Sequence, residues 1–272
     1  MTAKLRHVTA IVFDWAGTTV DHGSLAPAIA FKELFRGRRV DITAAQAREP
    51  MGMAKRDHIG AILAMPAVAS AWRAAHGRPH DEADIDALYE DFLPLQERVL
   101  QEHSDVIAGV PEAVEACRRM GLKIGSTTGY SRALMEIVSA SAKRQGYEPD
   151  CVVCADDVLR GRPAPYLLYE AAMRLNVYPL WTVVAVDDTP LGIEAGLHAG
   201  CWTVGVTRTG NCLGLSPEEV EALPGDERLR LCDQADQRLR SVGARYTIES
   251  TAEIVPILLD IDRRLGAGES PI

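Results

Sequence analysis

The first apolar run of the chain leads into a carboxylate within Ile11-Val12-Phe13-Asp14-Trp15-Ala16-Gly17-Thr18-Thr19-Val20-Asp21. The apolar residues predict a buried strand over about residues 9–13, and the small residues after Asp14 predict a turn. In open α/β sheets, ligands bind at the carboxyl ends of the strands. We therefore expect Asp14 to lie at the ligand-binding edge of a parallel sheet.

Strands and helices alternate from about residue 106 onward. The predicted elements are strands at 122–127, 151–155, 182–186 and 202–206 and helices at 111–120, 131–145, 164–175 and 190–199. This alternation indicates a parallel sheet with helices on both faces. The predicted fold class is therefore α/β, with a doubly wound, Rossmann-like core. Residues 216–266 are predicted to be mostly helical, with one short strand near Tyr246.

A largely helical region, at about residues 24–105, separates the first strand from the later ones. The cap and stop signals predict a helix from Ser24 to Gly37, a short one after Thr43, a third from Met53 to Met65 that Pro66 closes, and a long one from Asp81 to His103. We predict an all-helical cap, residues 23–105, inserted into a core made of residues 1–22 and 106–272. An insert that leaves a strand end lies over the site and can act as a lid.

Composition and charge limit the class of protein. The chain has 272 residues, of which 47% are apolar and 25% are charged, as is typical of a globular protein. Its net charge of −9 argues against nucleic acid as a partner. No apolar stretch is long enough to span a membrane, and the N-terminus leads into the first strand without a signal-peptide pattern. We expect a cytoplasmic protein with no membrane partner.

Two of the six cysteines, Cys151 and Cys154, have the CxxC spacing of metal and redox sites. They lie in an apolar run with strand character, so their side chains should not converge on one point. No second CxxC pair completes a zinc site. We interpret both as small residues of the core.

Polar side chains follow three further strands. Ser126-Thr127-Thr128-Gly129-Tyr130 ends one strand, Arg162 follows the next, and Asp187-Asp188-Thr189-Pro190 ends another. Each has an ordinary alternative: a hydroxyl-rich turn, a solvated arginine and a helix-capping turn. Hydroxyls and backbone N–H groups at such turns can hold phosphoryl oxygens. Carboxylates that meet across adjacent strand ends can hold Mg²⁺.

Lys55 lies in the inserted region, within Glu49-Pro50-Met51-Gly52-Met53-Ala54-Lys55-Arg56-Asp57-His58. A lysine must be neutral to attack a carbonyl group, and a pKa lowered by about 3 units needs about 4 kcal/mol from the environment. An apolar lid near other cations can supply this energy. The alternative is an ordinary lysine on a helix surface. His58 follows three residues later, so both side chains can share one helix face.

These segments resemble the phosphonatase family of haloacid dehalogenase-type phosphotransferases. That superfamily has an Asp-x-Asp-x-Thr pattern where this chain has Asp14-Trp15-Ala16-Gly17-Thr18, so Ala16 replaces the second aspartate. In its phosphatases the first aspartate attacks phosphorus and the second protonates the departing alkoxide. The phosphonatases instead form a Schiff base through a lysine that Lys55 matches. The resemblance covers nearly the whole chain and is most specific at Asp14–Thr18 and Met51–His58.

The resemblance implies a site and a reaction. The implied catalytic residues are the nucleophile Asp14, the Schiff-base lysine Lys55, the proton carrier His58 (or a structural histidine of the lid) and the cation Arg162. The implied substrate contacts are Met51, Gly52, Thr128, Gly129 and Tyr130, and the implied Mg²⁺ ligands are Asp14, the carbonyl of Ala16, and Asp188. Many relatives carry a further acid at the position of Gly192, for which Asp187 would partly compensate. The implied reaction releases acetaldehyde and phosphate from phosphonoacetaldehyde, and the implied assembly is a homodimer formed through the cap.

Two other functions stay open. One is a cap-bearing phosphatase or phosphomutase for a small phosphate ester, which the loss of the general acid at Ala16 disfavours. The other is a catalytically inactive scaffold that binds phosphate, which the joint presence of Asp14, Thr128, Arg162 and Asp188 disfavours. Residues beyond about 216 add no chemistry to any of these functions and are expected to pack as helices.

Overall fold

The computed structural model describes residues 4–271. Six strands form one sheet: β1 (Ala10–Phe13), β2 (Lys123–Thr127), β3 (Cys151–Val153), β4 (Val183–Asp187), β5 (Trp202–Val206) and β6 (Tyr246–Ile248). Their order is β3-β2-β1-β4-β5-β6, and every neighbouring pair is parallel. This is the order of a Rossmann-like sheet, in which ligands bind where the strand order reverses, here between β1 and β4.

The helices fall into two groups along the chain. Between β1 and β2 lie α1 (Leu25–Gly37), α2 (Ala44–Arg48), α3 (Lys55–Ala64), α4 (Pro66–His76), α5 (Glu82–Glu102) and α6 (Val110–Arg119). The later helices are α7 (Arg132–Arg144), α8 (Tyr166–Leu175), α9 (Pro190–Ala199), α10 (Pro217–Ala222), α11 (Gly225–Ser241) and α12 (Ile254–Gly266). The predicted helical insert after the first strand is confirmed, whereas its division from the core at residues 23 and 105 stays a prediction.

The sheet is covered on both faces because successive strand residues point in opposite directions. Ile11 and Phe13 belong to the larger apolar cluster, together with residues of α6, α7 and α12. Ala10 and Val12 belong to a second cluster, which includes residues of α8 and α9. The doubly wound arrangement is therefore confirmed.

The inserted helices pack together beside the end of β1. Phe31 of α1 stacks on Phe92 of α5, with ring centroids 4.6 Å apart. The two connections between the insert and the sheet run side by side, and Asp21 N–H donates to the carbonyl oxygen of Asp105 at 2.9 Å. Both connections therefore leave the sheet from the edge where Asp14 lies.

The start of α1 differs from the prediction that Ser24 caps it. Ser24 precedes the helix, but its side chain makes no capping hydrogen bond and its backbone has a left-handed φ of 49°. The cap is Asp21, whose carboxylate accepts from the N–H groups of Leu25 and Ala26, both at 3.0 Å. A carboxylate there satisfies free N–H groups and interacts favourably with the helix dipole. The usual sequence signature places a cap directly before the helix and so points to the wrong residue.

The predicted stop at Pro66 is confirmed, because α3 ends at Ala64, but the start of α3 and the residues after Pro66 differ from the prediction. The predicted helix Met53–Met65 begins later, at Lys55, and Pro66 is the first residue of α4, a helix that the sequence patterns do not predict. Proline is well tolerated at the first helical position because its missing N–H would have no helical partner there. Only Met65 separates α3 from α4.

The strand predicted at 151–155 is shorter than expected because residues 155–157 form a 3₁₀ turn. Cys154 belongs to the larger apolar cluster, whereas Cys151 packs against the second cluster, on the other face of the sheet. Both thiols are free. The interpretation of the CxxC pair as core residues is confirmed.

The C-terminal region is mostly helical with one short strand, as predicted. The strand begins at Tyr246 and extends the sheet beside β5. Over residues 4–271, no helix combines the length and the apolar character needed to cross a membrane.

Candidate active site

Two adjacent strands deliver carboxylates to one edge of the sheet. Asp14 follows β1, Asp187 ends β4, Asp188 follows it, and all three residues are buried. The N–H of Asp14 donates to the carbonyl oxygen of Val186 at 2.9 Å, which continues the pairing of the two strands. The sequence predicts that carboxylates converge at adjacent strand ends, and the structure shows this convergence.

The three carboxylates form a cluster in which one oxygen from each lies within 4.8 Å of the others. Burial raises the pKa of Asp14 to about 7, although Arg162 opposes the rise. Burial and the charges of Asp14 and Asp187 raise the pKa of Asp188 well above its usual range. Buried carboxylates that repel one another provide the oxygen ligands that Mg²⁺ prefers, so the residues present fit a divalent cation.

Asp188 is held in place by two donors. The hydroxyl of Thr18 donates to one carboxylate oxygen at 3.1 Å, and the N–H of Asn211 donates to the other at 2.6 Å. Thr18 is the last residue of the motif that begins at Asp14. The loop after β5 supplies Asn211, which the sequence patterns do not single out.

Arg162 lies beside the carboxylate cluster. Its guanidinium pairs with Asp14 at 2.6 Å and with Asp187 at 3.3 Å, and its side chain is only 4% exposed. It also donates to the carbonyl oxygen and the hydroxyl of Thr127, at 3.2 and 2.8 Å. Burial acts to lower the pKa of Arg162, but the charges of Asp14 and Asp187 outweigh burial and raise it. Arg162 is therefore a fixed cation and not a solvated one, and its role toward a phosphoryl group stays a prediction.

Gly192 leaves room for the side chain of Asp187. A Cβ atom at residue 192 would lie 1.9 Å from the carboxyl carbon of Asp187, far inside contact distance. The N–H and hydroxyl of Thr189 hold that carboxylate at 2.9 and 2.7 Å. The Asp187 carboxylate thus occupies the space that a side chain at position 192 would fill. This gives a steric basis to the prediction that Asp187 partly compensates for the acid that relatives carry at that position.

We expect Gly192→Ala to lower the free energy of unfolding by about 1–3 kcal/mol, the usual cost of overpacking a filled site. The added methyl group must displace Asp187, which is one of the two carboxylate partners of Arg162. Urea unfolding would measure the loss against Gly225→Ala, whose added Cβ meets no atom within 4 Å. Equal stability of the two variants would contradict the steric interpretation.

Lys55 is the first residue of α3 and is buried in an aromatic environment. Its ammonium nitrogen lies 4.8 Å from the ring centroid of Tyr130 and 5.6 Å from that of Phe31. Burial lowers the pKa of Lys55 from its usual 10.5 to about 8, while the charge of Asp14 opposes this fall and that of Arg162 adds to it. The alternative of an ordinary surface lysine is therefore wrong.

His58 is fully buried one turn after Lys55 and packs against Phe31 with its ring tilted by 35° and the ring centroids 4.0 Å apart. Its Nε2 bonds the carbonyl oxygen of Ala47 at 2.9 Å, so Nε2 must carry the proton. Burial and the charge of Lys55 lower the pKa of His58 well below its usual range. Among residues 4–271, Nδ1 has no hydrogen-bond partner. His58 is thus a neutral acceptor that also supports the helix, and neither predicted role is decided.

The turn after β2 meets the segment that carries Lys55. Thr128 N–H donates to the carbonyl oxygen of Val153, whereas no residue among 4–271 accepts from Gly129 N–H, which stays available for a ligand. An added Cβ at Gly129 would lie 2.6 Å from the carbonyl oxygen of Met53, so the lid and the turn are in direct contact. The hydroxyl of Tyr130 is buried without a partner among the described residues. A free N–H and a free hydroxyl therefore lie at the junction.

One small pocket, with a cavity volume of about 20 Å³, joins these features. It is lined by all of the predicted site residues except His58 and Asp188: Asp14, Ala16, Met51, Gly52, Lys55, Thr128, Gly129, Tyr130 and Arg162. The sequence patterns did not assign Ser24, Pro27, Met53 and Thr189 to the pocket. Met53 and Thr189 lie inside the segments around Lys55 and Asp188, so including every residue of those segments would have found them. Ser24 and Pro27 carry no local signal beyond the helix start.

Comparison with known sequences bears on the chemistry of this pocket. The family model of haloacid dehalogenase-like hydrolases matches residues 8–200. A phosphonoacetaldehyde hydrolase of Paraburkholderia xenovorans strain LB400 is 46% identical over 267 residues, which cover 98% of this chain and all of that protein. A phosphonoacetaldehyde hydrolase of Bacillus cytotoxicus is 43% identical over 257 residues, which cover 94% of this chain and 97% of that protein.

Comparison with solved structures agrees. The crystal structure of a phosphonoacetaldehyde hydrolase-like protein from Oleispira antarctica has a TM-score of 0.97 and 42% identity, over all of this chain and 98% of that chain. A β-phosphoglucomutase from Clostridium difficile has a TM-score of 0.69 with 17% identity, over 96% of this chain and 99% of that chain. The second likeness concerns the fold alone.

Proposed function

The chain belongs to the phosphonoacetaldehyde hydrolase family of haloacid dehalogenase-like hydrolases, and we propose that it hydrolyses the carbon–phosphorus bond of phosphonoacetaldehyde to acetaldehyde and phosphate. One observation carries the proposal. Lys55, with a lowered pKa, and Asp14 line the same small pocket, and Ala16 stands where a phosphatase needs its general acid. This site has an amine that can react with a carbonyl group, but it has no general acid to protonate a departing alkoxide. It therefore suits a reaction in which the leaving group departs from phosphorus through carbon.

Lys55 acts first in the proposed reaction. Its neutral amine condenses with the aldehyde, and the resulting protonated imine takes the place of the ammonium group beside the rings of Tyr130 and Phe31. Aromatic faces stabilise a cation, and the buried setting keeps water away from the imine. The free hydroxyl of Tyr130 and Nδ1 of His58 are the groups we assign to proton transfer around it. Met51 and Gly52 close the pocket over the substrate.

Asp14 acts second, as the nucleophile toward phosphorus. Its attack forms an aspartyl phosphate and breaks the P–C bond, and the electron pair of that bond passes into the iminium group to give an enamine. Arg162 and the free N–H of Gly129, with Thr128 beside it, bind the phosphoryl oxygens. Water then hydrolyses the aspartyl phosphate, and protonation and hydrolysis of the enamine release acetaldehyde from Lys55.

We propose that Asp14, the carbonyl group of Ala16, and Asp188 hold Mg²⁺, with Asp187 as a neighbouring charge. The carboxylate cluster supports this assignment because its charge exceeds what Arg162 alone can balance. When bound, the ion supplies positive charge that lets the nucleophile and the phosphoryl group approach each other. The homodimer that the resemblance implies and the cytoplasmic location expected from the sequence stay predictions.

We expect the rate of imine formation to rise about tenfold per pH unit below pH 8 and to level off above it. Only the neutral amine attacks a carbonyl, and a pKa of about 8 leaves about one Lys55 in ten neutral at pH 7, against roughly one in 3,000 for an unshifted lysine. Initial rates of trapping by cyanoborohydride with phosphonoacetaldehyde would measure the profile. A rate that still rises steeply between pH 9 and 10 would contradict the lowered pKa.

The deciding experiment measures phosphate release with Mg²⁺ from phosphonoacetaldehyde and, separately, from small phosphate esters. The proposal expects turnover of the phosphonate and a borohydride-reduced adduct on Lys55. Turnover of an ester without turnover of the phosphonate would favour the phosphatase alternative. Binding of phosphate without either activity would favour the inactive scaffold.

A further inference from the structure

Arg48 is the last residue of α2, and its guanidinium contacts separate parts of the chain. Nη1 donates to the carbonyl oxygens of Gly23 and Ser24, at 2.7 and 3.2 Å, in the connection between β1 and α1. Nη1 also donates to Oδ1 of Asn211 at 3.0 Å, and Nη2 donates to the carbonyl oxygen of Gly214 at 3.0 Å. A planar guanidinium can make such contacts in several directions, which a lysine cannot reproduce.

The loop after β5, residues 207–216, carries the partners of Arg48 on the sheet side; we call it the β5 loop. Asn211 returns a hydrogen bond from Nδ2 to the carbonyl oxygen of Arg48, at 3.3 Å. Its backbone N–H donates to Oδ2 of Asp188 at 2.6 Å, and both Asn211 and Asp188 are buried. One residue therefore binds Arg48 through its side chain and orients Asp188 through its backbone.

Arg48 also begins the segment that leads to Lys55. Residues 49–54 connect α2 to α3, and Met51, Gly52 and Met53 line the pocket. An added Cβ at Gly52 would lie 2.7 Å from the hydroxyl of Thr189, so the segment packs closely against the end of β4. The segment is thus held at its start by Arg48 and farther along by direct packing.

We propose that Arg48 and Asn211 form a latch that couples the closed position of residues 49–54 to the orientation of the Asp188 carboxylate. With the latch made, the segment before Lys55 rests on the pocket and the Asn211 N–H points at Asp188. With the latch broken, the segment before Lys55 loses its contact with the β5 loop, and Asp188 loses the fixed orientation of the Asn211 N–H. Neither latch residue lines the pocket, so both are positioning residues. The consequence for catalysis rests on the proposed function, whereas the coupling itself does not.

Thermodynamic coupling is reciprocal, so breaking the latch from either side must loosen the other side. Arg48→Met removes the guanidinium from the helical insert. Asn211→Ala removes the amide from the β5 loop but keeps the N–H that donates to Asp188. Arg238→Met is the matched control, because it breaks an exposed ion pair of 2.8 Å between α11 and Glu49, the residue next to Arg48.

Amide hydrogen exchange in the metal-free protein tests the coupling directly. We expect both Arg48→Met and Asn211→Ala to speed exchange in residues 49–54 and also in the β5 loop, and Arg238→Met to leave the β5 loop unchanged. Faster exchange only on the mutated side would overturn the latch. This readout needs no metal and no reaction, so it stands even if the chain fails to cleave phosphonoacetaldehyde.

Mg²⁺ alone is the second probe. By calorimetry without substrate, we expect its affinity to fall about tenfold in each latch variant, within the usual range of couplings between sites, and to stay unchanged in Arg238→Met. The double variant should lose little more than either single variant, since both break one contact. Unchanged affinity in Arg48→Met, or a double loss equal to the product of the single losses, would overturn the proposal.

Discussion

Lys55→Arg is expected to lower phosphate release from phosphonoacetaldehyde by about 10³-fold or more. Arginine keeps the positive charge beside Tyr130 and Phe31, but its guanidinium stays protonated and forms no imine. Without the iminium group, the electron pair of the breaking P–C bond has no acceptor. Steady-state phosphate release in the presence of Mg²⁺ measures the loss.

Lys143→Arg is the matched control for this substitution. Lys143 is exposed on α7 and pairs with Glu148, so the same change there should leave phosphate release at the wild-type rate. Borohydride with substrate should give a reduced adduct on Lys55 in the wild type and in Lys143→Arg, and none in Lys55→Arg. Phosphate release that survives in Lys55→Arg would remove the imine from the mechanism.

The edge of the sheet could be predicted because it depends on local patterns. Asp14, Thr128 and Asp188 each follow a predicted strand, and parallel strands end at one edge, so their convergence needs no knowledge of long-range contacts. Lys55 could be singled out because lysine is rare in this chain and its neighbours are apolar. Its burial beside two rings is what the sequence alone could not establish.

Contacts between distant segments account for what was missed. Arg48 and Asn211 are 163 residues apart, and nothing near either residue indicates the other. The place of Asp187 depends on how closely α9 approaches the end of β4, which fixes the empty space at Gly192. The capping of α1 by Asp21 likewise depends on the left-handed turn at Ser24, which no propensity predicts for serine.

Asp14→Asn is expected to lower phosphate release by about 10⁴-fold or more, because an amide does not attack phosphorus to form an acyl phosphate. Imine formation on Lys55 should nevertheless continue. Borohydride would then trap a different species in each protein. In the wild type, P–C cleavage before reduction leaves an N-ethyl group on Lys55, whereas in Asp14→Asn the reduced adduct should keep its phosphonate group. Mass spectrometry of the peptide that contains Lys55 distinguishes the two.

Loss of folding is a separate explanation that thermal unfolding in EDTA tests. Burial raises the pKa of Asp14 to about 7, so its ionisation destabilises the folded state as the pH rises from about 4 to 7. Asparagine carries no such charge, and Asp14→Asn should therefore melt no lower than the wild type at pH 8, with a difference that shrinks toward pH 4. A variant that melts well below the wild type at pH 8 would attribute the lost phosphate release to loss of folding. An N-ethyl adduct in Asp14→Asn would show that P–C cleavage does not need this carboxylate and would overturn the proposed role of Asp14.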